Sequence, residues 1–177
     1  MTDTKRLYYE DVYIKEFSAK VVECRKEEKG FQVILDQSAF YPEGGGQPSD
    51  LGILGDTAVT DVQEKNGELI HYVKSELEPG TEVIGKIDWQ RRFDLMQQHS
   101  GEHIVSGLVH EAYGYNNVGF HMSSDVITID FSGVLDEKQL AEIEEKTNRN
   151  IWEDNPVEIF IRIKRSLRLC LTEVKKN

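Results

Sequence analysis

The sequence predicts an α+β protein, a β-rich first half followed by a part in which helices and strands mix. Three observations carry that expectation. Up to about residue 88 apolar and polar residues alternate between strong turn signals, and after Asp88 the apolar period becomes that of a helix. The chain also has 177 residues with 38% hydrophobic content, enough for a packed core without disulfide staples.

In the first half, Phe17, Ala19 and Val21 share one strand face, and Phe31, Val33 and Leu35 follow after a charged turn ending in Gly30, the pattern of a hairpin. Asn66-Gly67 separates the apolar alternation of 58–62 from that of 69–73, and Pro79-Gly80 precedes Val83, Gly85 and Ile87. Residues 1–88 therefore read as a small β-barrel or sandwich. Asp88 is an N-cap candidate, after which Trp89, Phe93, Met96, His99, His103, Gly107 and His110 recur at helical spacing until Gly114. Strands are expected at about 119–122 and 126–131, and Asp136 with Gln139 forms a capping box for a second helix ending near Trp152. A last strand begins after Pro156, with Val157, Ile159, Ile161 and Ile163 on one face, and continues through Leu167, Leu169 and Leu171. An apolar edge of this kind pairs within the sheet or forms a homodimer contact. The expected division is 1–88 and 89–177, a change of architecture without a flexible linker.

The formal charge of −11 excludes a protein that coats nucleic acid through a general positive field. The charge is uneven, however: residues 161–177 carry +5 and the preceding 160 carry −16. Cys24 and Cys170 are the only cysteines, the start Met1-Thr2-Asp3-Thr4-Lys5 is polar, and no apolar run approaches the roughly 18 residues of a membrane helix. A cytoplasmic protein in a reducing compartment is expected.

Two features carry chemistry. In His99-Ser100-Gly101-Glu102-His103 two imidazoles lie four residues apart, on one face of a helix, at a separation that suits a shared ion. Zinc is the natural guest, with His99 and His103 supplying half of a tetrahedral shell; two polar residues on a solvated face is the plainer alternative. His110 lies seven residues, about 10 Å, beyond His103, too far to share the ion, and reads as a surface or supporting residue. His71, in a hairpin strand, reads as an ordinary half-buried side chain. The second feature is 40–48, Phe-Tyr-Pro-Glu-Gly-Gly-Gly-Gln-Pro, where Gly44, Gly45 and Gly46 leave backbone N–H groups unshielded beside Tyr41, Glu43 and Gln47. Such a loop approaches a substrate closely, or else simply connects two strands.

The Gly-rich loop, then Gln98 with the His-x-x-x-His helix, then Phe120-His121-Met122 with Thr128-Ile129-Asp130, occur in this order. Together they resemble the AlaX family, free-standing relatives of the editing domain of alanyl-tRNA synthetase, over about residues 5–160. The resemblance implies a β-barrel followed by an α+β editing part. It implies hydrolysis of the ester that joins serine or glycine to the 3′ end of mischarged tRNA for alanine, with that tRNA as partner and zinc as cofactor. A synthetase pocket discriminates poorly against a smaller side chain or an added hydroxyl, so a second, hydrolytic site makes physical sense. The metal would sit between the His-x-x-x-His pair and a later Cys-x-x-x-His pair, where it activates water or orients the substrate. Gly44, Gly45, Gly46, Gln47, Gln98 and His121 are the expected substrate contacts; no catalytic residue is assigned.

The later pair is not found: Cys170 is followed at +4 by Val174, and Cys24 by Glu28. After about residue 160 the chain departs from the family, as a truncated or divergent end, and weak metal binding with slow deacylation or none is expected. One alternative is a catalytically impaired, editing-like domain that binds tRNA. A remote one is a zinc metallopeptidase, because His99-x-x-Glu102-His103 also matches the H-x-x-E-H pattern in which Glu102 would act as general base.

Overall fold

The computed structural model describes residues 4–123 and 126–157. Its strands are β1 (Lys5–Arg6), β2 (Glu16–Glu27), β3 (Gly30–Leu35), β4 (Gln37–Ser38), β5 (Gly52–Leu54), β6 (Thr57–Lys65), β7 (Glu68–Val73), β8 (Glu82–Ile87), β9 (Asn117–Met122) and β10 (Ile127–Phe131). The helices are α1 (Trp89–Tyr113) and α2 (Glu137–Trp152). The protein is thus mixed α and β, with the change from strand to helix at Asp88.

Six strands make one sheet in the order β2-β3-β7-β6-β5-β8, and β8 pairs back to β2, so the sheet closes into a barrel. Each link is antiparallel. Two irregularities bend the long strands enough to close, one between Val21 and Glu23 in β2 and one between Val59 and Asp61 in β6. The β6–β7 turn is Asn66-Gly67, both at positive φ (53° and 83°), the hairpin geometry that this dipeptide favours. Alternation sends Phe17, Ala19, Val21, Val33, Leu35, Val59, Leu69 and Val73 inward to join Phe40 in the core. Each such side chain taken from water contributes about 1.5–3 kcal/mol, the smaller alanine less.

One expectation is corrected here. His71 is not half-buried but fully enclosed, because it stands two positions from both Leu69 and Val73 and so shares their inward face. Its Nδ1 donates to the Val33 carbonyl (3.1 Å), and Nε2 then accepts from the Ser38 hydroxyl (2.8 Å). Burial pushes its pKa down to about 4, so the ring is neutral. Ser38 Oγ also accepts the Phe40 N–H (3.1 Å), tying His71 to the start of the Gly-rich segment.

Helix α1 begins where the Asp88 side chain accepts the Arg91 N–H (3.2 Å), and Gly114 ends it. A buried ion pair locks its first turns to the barrel. The Arg92 guanidinium meets the Asp50 carboxylate through Nε (2.8 and 2.9 Å) and a further close contact from one terminal nitrogen, with both side chains 1% exposed. Arg92 also donates to the carbonyls of Ala39 (2.7 Å) and Val12 (3.0 Å), while Asp50 accepts the Tyr41 N–H (2.7 Å). Helix α2 starts with the expected capping box of Asp136 and Gln139 and packs Ile143 toward α1. The antiparallel β9–β10 pair reaches the Gly-rich loop through the Met122 N–H, which donates to the Gly46 carbonyl (3.1 Å).

Among the described residues no helix is long and apolar enough to cross a membrane. Beyond Val157, the expected last strand, the basic run, Cys170 and the homodimer contact lie outside the described residues.

Candidate functional site

Three elements meet at His99: the middle of α1, the Gly-rich loop and strand β9. The loop is a tight turn in which Gly44 and Gln47 exchange backbone hydrogen bonds (Gly44 N–H to Gln47 O, 3.1 Å; Gln47 N–H to Gly44 O, 3.0 Å). Gly45 and Gly46 lie at its tip with φ of +60° and +81°. Among the described residues, their two N–H groups donate to no protein acceptor. Gly46 is required on steric grounds as well, since a Cβ there would stand 2.6 Å from the Phe120 carbonyl oxygen and 2.7 Å from its ring. A Cβ on Gly45 would point toward His99, 3.9 Å from Cε1.

His99 is partly buried between this loop and the Phe120 ring, 5.2 Å away between centroids. Its Nδ1 lies 2.7 Å from the Gln47 side-chain carbonyl Oε1. Burial lowers its pKa below the ordinary imidazole range, the nearby His103 lowers it further, and Glu102 opposes both. His103 stacks on it, with centroids 5.0 Å apart and planes 14° from parallel, and its side chain is 74% exposed.

Glu102 is the buried member of the group, at 5% exposure. Its Oε1 accepts from Asn117 Nδ2 (2.7 Å) and from the Ser106 hydroxyl, and its Oε2 lies 3.4 Å from His103 Nδ1. Asn117 at the start of β9 and Ser106 one turn along α1 thus hold the carboxylate in place.

His99, Glu102 and His103 each offer a ligand atom within 4.8 Å of the others. Tetrahedral zinc with bonds of about 2.0–2.1 Å needs donors about 3.3 Å apart. The two imidazoles fit in type and face, and the His103 ring is largely exposed on its outer side. They make half of such a shell.

The other expected site residues divide. Gly45 and Gln47 stand beside His99, Gly46 packs on Phe120, and Gly44 closes the turn with Gln47. Gln98 is exposed and lines a different groove, of about 460 Å³, with Pro48, Arg91 and Ser123. His121 is exposed and neighbours Phe120 along β9, so it points to the opposite face of the strand from the ring that packs on His99. His110 is exposed in the last turn of α1. Sequence reasoning missed three contributors. The period-2 alternation of β9 could have chosen Phe120 over His121, and the i, i+4 spacing of Glu102 and Ser106 could have suggested their bond; the Asn117 contact had no local signal.

Comparison with known proteins shows what the chain is similar to. The model of the family tRNA synthetases class II (A) matches residues 2–91, half of the chain, ending at the first turn of α1. Individual relatives extend the similarity over most of the chain. The chain is 38% identical over 162 residues to the alanyl-tRNA editing protein AlaX-L of Pyrococcus horikoshii, covering 88% of this chain and 40% of that protein. It is 36% identical over 164 residues to the alanyl-tRNA editing protein Aarsd1 of Bos taurus (84% and 37%) and 37% identical over 163 residues to the alanine–tRNA ligase of Pyrobaculum neutrophilum (87% and 18%). The chain therefore spans about two fifths of the length of the editing relatives.

Proposed function

Because the chain belongs to the class II (A) tRNA synthetase family, among relatives named alanyl-tRNA editing proteins, we propose that it acts in trans-editing. It would bind the aminoacylated 3′ end of tRNA for alanine and promote hydrolysis of the ester when serine or glycine has been attached. The observation that supports this reading best is the meeting of the Gly-rich loop with His99, which sets two backbone donors, without an acceptor among the described residues, beside an imidazole whose pKa is lowered by burial.

In the hydrolysis, a water oxygen bonds to the ester carbonyl carbon, the bond from that carbon to the ribose oxygen breaks, and the ribose oxygen takes a proton. Negative charge collects on the carbonyl oxygen in between. The N–H groups of Gly45 and Gly46 supply fixed donors for that charge, and fixed donors cost no reorganisation during the reaction. The Phe120 ring, packed on His99, closes one side of the site. His99 and His103 would hold zinc, which when bound supplies Lewis acidity beside the ester. Gln98 and His121, on other faces, are proposed to contact parts of the tRNA end away from the reacting carbon. The metallopeptidase alternative needs Glu102 free to take a proton from water; its two hydrogen bonds through Oε1 and its place against His103 favour an orienting role instead.

Release of labelled serine from seryl-tRNA for alanine tests the proposal, with correctly charged alanyl-tRNA as the substrate that should be spared. His99→Ala should abolish the release. No release by the wild-type chain, or equal release from both substrates, would overturn the reading.

A further inference from the structure

The two histidines are alike in one respect that their spacing does not explain: each has an acceptor oxygen facing its Nδ1. For His99 the acceptor is the Gln47 Oε1 at 2.7 Å, delivered by the Gly-rich loop from 52 residues earlier in the chain. For His103 it is the Glu102 Oε2 at 3.4 Å, on a carboxylate that Asn117 and Ser106 hold in place. The Gln47 amide oxygen only accepts, so the His99 Nδ1 carries the proton and its lone pair lies at Nε2, and the Glu102 carboxylate beside the His103 Nδ1 favours the same tautomer there.

We propose that Gln47 and Glu102 are positioning residues that fix the tautomers of His99 and His103, so that both rings present Nε2 to one shared ligand. This assigns the Gly-rich segment a second role besides lending backbone donors. The turn that exposes the Gly45 and Gly46 N–H groups is closed by the Gly44–Gln47 backbone pair, and the same Gln47 sends its side chain to His99. Loop geometry and imidazole orientation are thereby coupled: a change that opens the turn also withdraws the partner of Nδ1. On the other side, burial of Glu102 keeps its carboxylate from turning to water, so it remains aimed at a ring that is itself largely exposed.

What binds at Nε2 rests on the zinc reading; the tautomers do not, and the experiment keeps the two apart. In metal-free protein labelled with nitrogen-15, long-range nitrogen–proton correlation spectra at about pH 8.5, two units above the ordinary imidazole value of about 6.5, report which ring nitrogen carries the proton. His99 and His103 should both show it on Nδ1. In Gln47→Ala the His99 signature should be lost while that of His103 stays, and Gln47→Glu, which keeps an acceptor oxygen, should restore it. Calorimetric zinc titration should show affinity lowered about 10–100-fold in Gln47→Ala, the usual consequence of losing a partner behind a ligating histidine, and recovered in Gln47→Glu. A wild-type His99 protonated on Nε2, or a tautomer unchanged in Gln47→Ala, would overturn the proposal for Gln47. A wild-type His103 protonated on Nε2 would overturn it for Glu102. If the tautomers are as stated and wild-type protein takes up no zinc, the metal reading falls and the spectra still support the positioning.

Discussion

Replacing Asp50 by Asn tests how the barrel holds the helix that carries the site. The substitution keeps the size and one acceptor oxygen of the side chain but removes its charge. Arg92 would then keep its carbonyl partners on Val12 and Ala39 while its guanidinium, 1% exposed, loses the only carboxylate it meets among the described residues. Breaking a buried pair in this way costs about 3–5 kcal/mol, because the remaining charge stays desolvated without compensation. Domains have about 5–15 kcal/mol of total stability, so this is a large share. With a urea slope of about 2 kcal/mol per molar, the midpoint should fall by about 2 M at unchanged slope. Unfolding followed by fluorescence of Trp89, on the first turn of α1, reads the relevant contact. The matched control is Glu145→Gln, which removes an exposed i, i+4 partner of Arg149 (2.8 Å) and should leave the midpoint where it was. Replacing both residues by Leu and Met should recover only part of the loss, since the Ala39 and Val12 carbonyls and the Tyr41 N–H would be left without partners. A loss below about 1 kcal/mol for Asp50→Asn would refute the reasoning, for it would mean that the pair is solvated like a surface bridge.

Two further outcomes follow from the same structure. His71, whose folded pKa of about 4 lies below the unfolded value of about 6.5, binds fewer protons folded than unfolded between those values, so stability should be complete above about pH 6.5 and decline as pH falls through 4, by on the order of 3 kcal/mol; a urea midpoint measured against pH should show this decline, and His71→Gln should flatten it. Gly46→Ala should lower both the melting temperature and deacylation, because its Cβ meets Phe120 backbone, whereas Gly45→Ala, facing only the far edge of His99, should cost about 1–2 kcal/mol from its left-handed backbone; equal melting temperatures for the two variants would show that the loop does not pack on β9.

Much of this fold was legible in the sequence, and what was not shares a physical cause. The hairpin of β6 and β7, the limits of α1 at Asp88 and Gly114 and the capping box of α2 are local, written in turn residues, caps and periods that span a few positions. The face shared by His99 and His103 is equally local. By contrast, the Asp50–Arg92 pair joins residues 42 apart, Gln47 and His99 are 52 apart, and Asn117 reaches Glu102 across the loop that follows α1. Each is a polar contact whose partner is chosen by tertiary packing, and a single sequence carries no periodic trace of it. A partial trace did exist at Arg92, which lies three residues before the buried Leu95 and seven before His99, on the stripe that α1 turns to the barrel. A charged residue on such a stripe needs a buried partner of opposite sign, since isolation there is prohibitive. His71 carried a similar trace, in phase with Leu69 and Val73, and a neutral ring with two fixed partners satisfies it. The rule also separates His121 from Phe120: one step along a strand changes the face, so a motif read as a unit places its polar member away from the site and its aromatic ring against His99.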